Sequence, residues 1–374
     1  MTATLDELTA LFVRLAETPS PSGRERGVAD LITAELRACG VDVSEDESAP
    51  RTGAAAGNLV ARIPGRGAGT PVALCAHMDT VPVEGEVRVR IVDGVARSAG
   101  DTILGADDKA AVAALVALAR DLAAEPPAAG VELVFTTSEE VGLRGAKELD
   151  VSALRAEAAF VFDSEGPVGT VVLTAPSLSL FTADFHGRAA HAGIEPEKGR
   201  SAVVAAARAV AAMPLGRIDE RTTANVGVIT GGSATNVVPE RCRLEGEARS
   251  HDRDALAAQL ERMIEAVNVA AAEAGVDVSV TVDDDFVGFT LTAGDTAVAL
   301  AAAALAAIGV EPVHIATGGG SDANVFNLRG LPAVNLGVGF EDVHSVRESI
   351  ALARLEQVYE LAHALVRAAG ARAG

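Results

Sequence analysis

Aromatic side chains are nearly absent from this 374-residue chain, which has ten phenylalanines, one tyrosine and no tryptophan. Proteins that hold single-stranded nucleic acids usually stack the bases on aromatic rings. Basic charge is also scarce, with 31 lysines and arginines against 52 aspartates and glutamates, which gives a net charge of −21. Because this charge would repel a phosphate backbone, we expect no nucleic-acid partner.

Cysteine is the third scarce residue type, and Cys39, Cys75 and Cys242 lie far apart without a C-x-x-C pair. This odd number favours isolated reduced thiols, as in cytoplasmic proteins, over a disulfide framework. The sequence also lacks a basic, apolar N-terminal leader and any run of eighteen apolar residues free of charges. We therefore expect a cytoplasmic protein with no membrane partner.

Apolar runs typical of buried strands alternate with helical segments along most of the chain. Such alternation predicts an α/β fold, with a mostly parallel sheet sandwiched by helices. From residue 178 to residue 286 the order changes to β-α-β-β-α-β, which is typical of a ferredoxin-like α+β domain. We expect a discontinuous larger domain of residues 1–177 and 287–374, with the smaller domain of residues 178–286 inserted into it.

The stretch Leu104–Arg120 organises the larger domain. Its second part is rich in alanine, leucine and valine and predicts a buried helix. Asp107 and Asp108 stand where that helix begins, at the rim of the core, where two carboxylates are costly unless something neutralises them. One interpretation is a metal ion. The other is that Asp107 is only the N-cap of the helix.

Other acids and histidines follow predicted strands. His77 and Asp79 are two residues apart, so on an extended strand end they face the same side, and the carboxylate can orient the imidazole. The alternative is a capping aspartate beside a core histidine. Glu139 and Glu140 also follow a buried strand; there one can bind a metal while the other holds a water, although a solvated turn is equally consistent with the pair.

Asp163 ends another apolar strand, and His344 follows a strand and loop near the C-terminus. In open α/β sheets, ligands bind at the carboxyl ends of the strands, where all these residues fall. Two histidines and three carboxylates suit a pair of divalent cations of the kind found in two-metal hydrolases.

These motifs, in this order, resemble the signature of the M20 family of co-catalytic metallopeptidases. The resemblance is carried by His77-Met-Asp79-Thr-Val-Pro, Gly105-Ala-Asp107-Asp108-Lys109, Thr137-Ser-Glu139-Glu140-Val-Gly, Asp163 and His344. It covers nearly the whole chain, is closest to the peptidase T-like tripeptidase and aminopeptidase branch, and implies a zinc-peptidase-like catalytic domain.

The resemblance also implies roles for these residues. One metal is expected on His77 and Asp163, the other on His344 and Glu140, with Asp107 bridging them. Asp79 is expected to orient His77, and Glu139 to act as the general base. We expect two Zn²⁺ ions. Co²⁺ and Mn²⁺ are alternatives, because metal availability usually decides which metal is native.

Four further residues are candidates for substrate binding. The resemblance implies that His191, which often acts from the partner subunit in this family, donates to the developing oxyanion. It places Arg249 where related enzymes clamp a substrate carboxylate, although an edge-strand salt bridge explains Arg249 as well. Asn236 lies in the loop 231–239. Gly319 lies in a glycine-rich turn that we interpret as a substrate-backbone loop, because it lacks the lysine of a phosphate-binding loop.

The sequence therefore predicts a dinuclear metallopeptidase that releases N-terminal residues from short peptides. In this family, aspartate at position 163 is typical of aminopeptidases and dipeptidases, and glutamate of carboxypeptidases and deacylases. One alternative is an N-acyl amino acid deacylase or carboxypeptidase on the same scaffold. A second is a catalytically silent association module. The resemblance further implies a homodimer, formed through an inserted domain that serves as lid and dimerisation surface.

Overall fold

Helices and strands follow one another closely along the chain, and the computed structural model describes residues 2–371. The helices are α1 (Leu5–Ala16), α2 (Arg26–Ala38), α3 (Ala49–Thr52), α4 (Ala106–Ala124), α5 (Arg144–Glu148), α6 (Ala202–Ala212), α7 (Arg253–Ala274), α8 (Thr296–Ala307), α9 (Asp322–Leu328) and α10 (Leu352–Ala371). The strands of the first half are β1 (Asp42–Glu45), β2 (Leu59–Ile63), β3 (Val72–His77), β4 (Val89–Val92), β5 (Val95–Ser98), β6 (Val131–Thr136), β7 (Ala158–Ser164), β8 (Thr170–Ala175) and β9 (Ser177–His186). Those of the second half are β10 (Gly216–Arg217), β11 (Thr222–Gly231), β12 (Arg241–Ser250), β13 (Asp277–Phe286), β14 (Phe289–Thr290), β15 (Val313–Ala316), β16 (Ala333–Gly337), β17 (Phe340–Glu341) and β18 (Ser349–Ala351).

Two compact units divide the chain. One comprises the chain up to Thr174, the segment Thr290–Thr317 and the chain from Ser321 onward. The other comprises Ala175–Phe289 and Gly318–Gly320. Within residues 2–371, none of the helices is both long enough and apolar enough to cross a membrane.

The first unit is built on a twisted sheet with strands in the order β1-β2-β6-β3-β7-β16-β8, and β15 pairs with β8. Strand β3 runs parallel to both of its neighbours, β6 and β7. Every residue of β3 and of β6 is buried, as expected for strands covered on both faces. The predicted α/β class with a mostly parallel sheet is confirmed. Its parallel core brings the carboxyl ends of β3, β6 and β7 to one edge.

A second, smaller sheet in the same unit has the order β17-β18-β5-β4. The hairpin β4-β5 turns at Asp93-Gly94. Strand β18 pairs with β5, with Ser349 opposite Arg97. This pairing places the loop between β17 and β18 beside the segment that connects β5 to α4.

The second unit holds an antiparallel sheet with the order β10-β11-β12-β9-β13. Helices α6 and α7 pack on it over a core that includes Phe181, Phe185 and Met263. The order β9-α6-β11-β12-α7-β13 is the predicted β-α-β-β-α-β sequence of a ferredoxin-like domain, to which the short strand β10 is added. This part of the predicted fold is also confirmed.

Two local features differ from what the sequence pattern suggests. The pattern predicts a final helix from Ser349, but α10 begins at Leu352, because residues 349–351 pair with β5. The glycine-rich turn that contains Gly319 is followed directly by α9. This helix begins with a capping box, in which Ser321 and Asn324 satisfy each other's backbone N–H groups.

Candidate metal centre and active site

The edge of the parallel sheet carries the predicted acids and histidines of the first unit. His77 is the last residue of β3, and its register partner on β6 is Thr136, which ends that strand. Glu139 and Glu140 follow β6 after one turn, and Asp163 lies at the end of β7. Parallel pairing therefore gathers residues from three strand ends at one place.

The imidazole of His77 is buried, and a backbone carbonyl fixes its orientation. Its Nδ1 atom lies 3.0 Å from the backbone carbonyl oxygen of Asp79. Because a carbonyl only accepts, Nδ1 carries a proton. Nε2 lies 3.2 Å from Oδ1 of Asp107 and 3.8 Å from Oδ1 of Asp163. Although burial lowers the pKa of His77, hydrogen bonds to Asp107, Asp163 and Asp79 raise it well above its usual value, so without a cation Nε2 is protonated as well. The ring thus faces two carboxylates with the nitrogen that a metal ion would bind.

Asp107 stands between two histidines. Its Oδ1 atom lies 3.2 Å from Nε2 of His77, and its Oδ2 atom lies 3.2 Å from Nε2 of His344. The structure favours the metal interpretation over the N-cap interpretation, because both carboxylate oxygens of Asp107 face histidines rather than N–H groups of α4. Although burial raises the pKa of Asp107, hydrogen bonds from His344 and His77 lower it to about 2. A carboxylate with one oxygen toward each histidine has the geometry of a bridging ligand.

His344 reaches Asp107 from the loop between β17 and β18. Its backbone has φ of 59°, a left-handed conformation that residues other than glycine seldom adopt. Its Nε2 atom also lies 3.0 Å from Oε2 of Glu140. Hydrogen bonds to Asp107 and Glu140 raise the pKa of His344 to about 10. In the ion-free protein, a proton on His344 therefore occupies the place that a cation would take.

The negative charge of this cluster is only partly neutralised by the two histidines. Burial, together with the charges of Asp107 and Asp322, raises the pKa of Asp163 to about 7, although His77 acts to lower it. The pKa of Glu139 is raised well above its usual value by burial and then by the charge of Asp163.

Two groups of ligand atoms lie within 4.8 Å of one another, His77 with Asp107 and Glu140, and His77 with Glu139 and Asp163. Imidazole nitrogen and carboxylate oxygen are the donors that Zn²⁺ and similar divalent cations accept. The residues present therefore fit a divalent metal centre.

Asp79 fixes the backbone that carries Glu139 and Glu140. Its carboxylate accepts hydrogen bonds from the backbone N–H groups of Glu139 (3.0 Å) and Glu140 (3.3 Å), and from the Ser22 hydroxyl (2.7 Å). The same carboxylate lies 3.5 Å from Nδ1 of His77. Asp79 therefore orients His77 chiefly through its carbonyl and the two glutamates through its side chain.

Two buried acids near this site were not among the sequence candidates. Asp322 accepts hydrogen bonds from the Thr136 hydroxyl (2.5 Å) and the Cys75 thiol (3.7 Å), and burial raises its pKa to about 6. Glu348 accepts hydrogen bonds from backbone N–H groups at the start of α4. No local sequence pattern indicates these contacts, because each joins residues 186 or more positions apart.

The remaining candidates lie in the second unit. His191 and Asn236 are on neighbouring segments, since His191 bridges to Val237 and the Ala192 N–H donates to the Asn236 carbonyl at 2.9 Å. Nδ1 of His191 accepts from the Gly193 N–H (3.2 Å), so in the neutral ring the proton is on Nε2.

Arg249 in the same unit pairs with Glu247 through two hydrogen bonds of 2.8 and 3.0 Å. It also donates to the carbonyl of Gly318, the residue before Gly319 (3.2 Å). The salt bridge of the alternative interpretation is therefore present, although β12 lies between β11 and β9 and is not an edge strand. A guanidinium N–H also reaches the glycine-rich turn.

A protein-family model and a known relative both match most of the chain. The model of peptidase family M20/M25/M40 matches residues 73–368. Protein YqjE of Bacillus subtilis (strain 168) is 38% identical over 359 residues, which is 96% of this chain and 97% of that protein.

Two solved structures resemble the whole chain. Aminopeptidase PepT from Bacillus cereus ATCC 10987 is 38% identical, with a TM-score of 0.87 over 98% of this chain and 99% of that one. A tripeptidase from Staphylococcus aureus subsp. aureus Mu50 is 35% identical, with a TM-score of 0.92 over 99% of this chain and 100% of that one.

Proposed function

This chain belongs to peptidase family M20/M25/M40, and from this membership we propose that it removes the N-terminal residue from short peptides with the help of two divalent cations. The observation that carries the proposal is the position of Asp107, with one carboxylate oxygen toward His77 and the other toward His344. The similarity to an aminopeptidase and to a tripeptidase supports this choice of substrate.

We assign one cation to His77 and Asp163 and the other to His344 and Glu140, with Asp107 shared. The contacts His77–Asp163 (3.8 Å) and His344–Glu140 (3.0 Å) support this division, because each histidine has its own acid beside the common one. Divalent cations bound there would supply Lewis acidity, polarising the scissile carbonyl and acidifying water. Zn²⁺ is the proposed native metal, with Co²⁺ or Mn²⁺ as functional substitutes.

Glu139 is the proposed general base. Its backbone N–H is held by Asp79, so its carboxylate has a fixed position beside the cluster. In the ion-free protein the pKa of Glu139 is raised, chiefly by burial. Cations nearby would lower that pKa and leave the carboxylate ready to accept a proton from the attacking water. The Glu139 carboxyl then returns this proton to the nitrogen of the leaving amine.

His191, Asn236, Arg249 and Gly319 remain proposed substrate ligands. The N–H at Nε2 of His191 is a suitable donor for a developing oxyanion, in the same chain or from a partner subunit. The guanidinium of Arg249 has the paired N–H groups that suit a substrate carboxylate, although Glu247 accepts two of its hydrogen bonds in this structure.

We propose that the enzyme acts in the cytoplasm. We also propose that two copies of the chain form a homodimer through their second units. Beyond Ala224, strand β11 extends past its short partner β10 and lies at the edge of the sheet. Val228 and Ile229 on this edge are 45% and 53% exposed. An apolar sheet edge is suited to pairing with a second copy. Light scattering of the purified protein tests this directly, and a monomer at micromolar concentration would contradict it.

The substrate is tested by comparing peptides after metal removal and reconstitution. Protein stripped with a chelator receives Zn²⁺, Co²⁺ or Mn²⁺ and is then offered a free tripeptide, its N-acetylated form and N-acetyl amino acids. We expect release of the first residue from the free tripeptide only, and no turnover by the stripped protein. Cleavage of N-acetyl amino acids alone would favour the deacylase. No cleavage of any substrate would favour the association module.

A further inference from the structure

Glu348 binds the backbone that carries Asp107. Its Oε2 atom accepts hydrogen bonds from the N–H groups of Leu104 and Gly105, both at 2.8 Å, and its Oε1 atom accepts from the N–H of Asp107 at 3.0 Å. The residue is only 2% exposed. A buried carboxylate is costly unless hydrogen bonds satisfy it, and three backbone donors do so here.

These three donors have few other possible partners. Asp107 (φ −80°, ψ 103°) and Asp108 (φ −118°, ψ 24°) have non-helical backbone angles, so the regular part of α4 begins after them. The N–H groups of Leu104, Gly105 and Asp107 therefore lie ahead of the regular helix and have no acceptor within it. Gly105, the N-cap, has φ of 74°, so the chain enters the helix through a left-handed turn. Glu348 therefore fixes both the turn and the direction in which the Asp107 side chain leaves the backbone.

Glu348 and His344 belong to the same loop. The Glu348 N–H donates to the carbonyl of Ser345 at 3.1 Å, which closes the loop next to His344. The ring of His344 in turn contacts Oδ2 of Asp107 at 3.2 Å. One loop thus holds Asp107 twice, at its backbone through Glu348 and at its carboxylate through His344.

We propose that Glu348 is a positioning residue that holds Asp107 between His77 and His344, and that the cation on the His344 side depends on it. This inference rests on the proposed function, because it presupposes that the cluster binds cations. The competing explanation is that Glu348 only stabilises the start of α4, as any buried acceptor would.

Glu132 provides a matched control. It is also a buried glutamate (5% exposed), and its Oε2 accepts the backbone N–H groups of Arg155 (2.7 Å) and Ala156 (3.0 Å). It lies on β6 at the opposite end from Thr136 and contributes no atom to the cluster. E348Q replaces a carboxylate oxygen by an NH₂ group that faces a backbone donor. E132Q introduces an NH₂ group that faces either a backbone donor or the Arg62 guanidinium, whose Nε lies 3.2 Å from Oε1 of Glu132.

The test is calorimetric titration of metal-free wild type, E348Q and E132Q with Co²⁺ alone, together with the visible spectrum of bound Co²⁺ and kcat and KM for a free tripeptide. We expect E348Q to bind its second Co²⁺ about 10–100-fold more weakly than wild type. Its spectrum should change, and kcat should fall more than KM rises. E132Q should match the wild type in all of these measurements.

Two wild-type Co²⁺ sites, with E348Q binding both ions at wild-type affinity, would overturn this inference and leave the proposed function standing. A wild-type protein that binds no Co²⁺ would overturn both. If E348Q does not fold, amide exchange of the wild-type segment 104–107 decides. We expect slow exchange that becomes slower with Co²⁺, and exchange unaffected by Co²⁺ would overturn the inference.

Discussion

The carboxylate of Asp79 accepts a hydrogen bond from the backbone N–H of Glu139 at 3.0 Å, so the residue that orients one proposed metal ligand also places the proposed base. The Asp79 carbonyl fixes the ring of His77, and its side chain fixes the turn that carries both glutamates. Substitution of Asp79 should therefore slow the chemical step more than it weakens the binding of metal.

We expect Asp79→Asn to lower kcat/KM by about 10–100-fold, the usual cost of changing a group that orients metal ligands. The amide NH₂ would face the backbone donors of Glu139 or Glu140 and displace the turn. Steady-state kinetics with a free tripeptide measure this, and metal content is determined on the same sample. Ser22→Ala, which removes only the hydroxyl that braces Asp79, should have a smaller effect. Equal losses in the two variants would contradict this assignment.

Glu139→Gln removes the proposed base while keeping the shape of the side chain. Because general acid–base catalysis contributes about 10²–10⁴-fold, we expect kcat to fall by that factor. The affinity for two cations should change little, because Glu139 is assigned to neither. Glu165→Gln, an exposed glutamate two residues after Asp163, is the control and should keep wild-type kinetics. Near-normal turnover by Glu139→Gln would assign the base to another group.

His344→Ala should remove one of two cations. The variant keeps His77, Asp163 and Asp107, so the other ion retains its ligands, and elemental analysis should find one ion per chain instead of two. His314→Ala, which changes an exposed histidine on β15, should retain both. Two tightly bound ions in His344→Ala would show that His344 is not a ligand.

Cation affinity should rise with pH. The pKa of His344 is raised to about 10 in the ion-free protein, and that of Asp163 to about 7. Both groups must lose their protons to bind a cation, so below these values protons compete with the metal. Each proton released should change the affinity by up to about tenfold per pH unit. Calorimetry in two buffers of different ionisation enthalpy counts the protons. We expect at least one per chain at pH 7, with fewer in His344→Ala, and no release would contradict the structure.

Much of the site could be predicted because its residues follow apolar strands. Asp163 and the pair Glu139-Glu140 stand at or just after the ends of apolar runs typical of buried strands, and parallel pairing brings those strand ends together. His77 is found in the same way, although its orientation by a backbone carbonyl has no sequence signal.

Other features depend on contacts that the sequence does not display. Glu348 meets Leu104 across 244 positions, and Asp322 meets Thr136 across 186. The segment 349–351 is a strand because it pairs with β5, a contact that its local sequence does not display. By contrast, helix α9 had a local signal, the Ser321–Asn324 capping box, which the neighbouring glycines obscured.

Mn²⁺ titration followed by electron paramagnetic resonance shows whether two cations share Asp107. We predict two Mn²⁺ per chain with the spectrum of a magnetically coupled pair, as expected for ions about 3.5–4 Å apart. The coupling should be lost in Asp107→Asn. A single Mn²⁺, or two that give independent spectra in the wild type, would show that Asp107 is not a shared ligand.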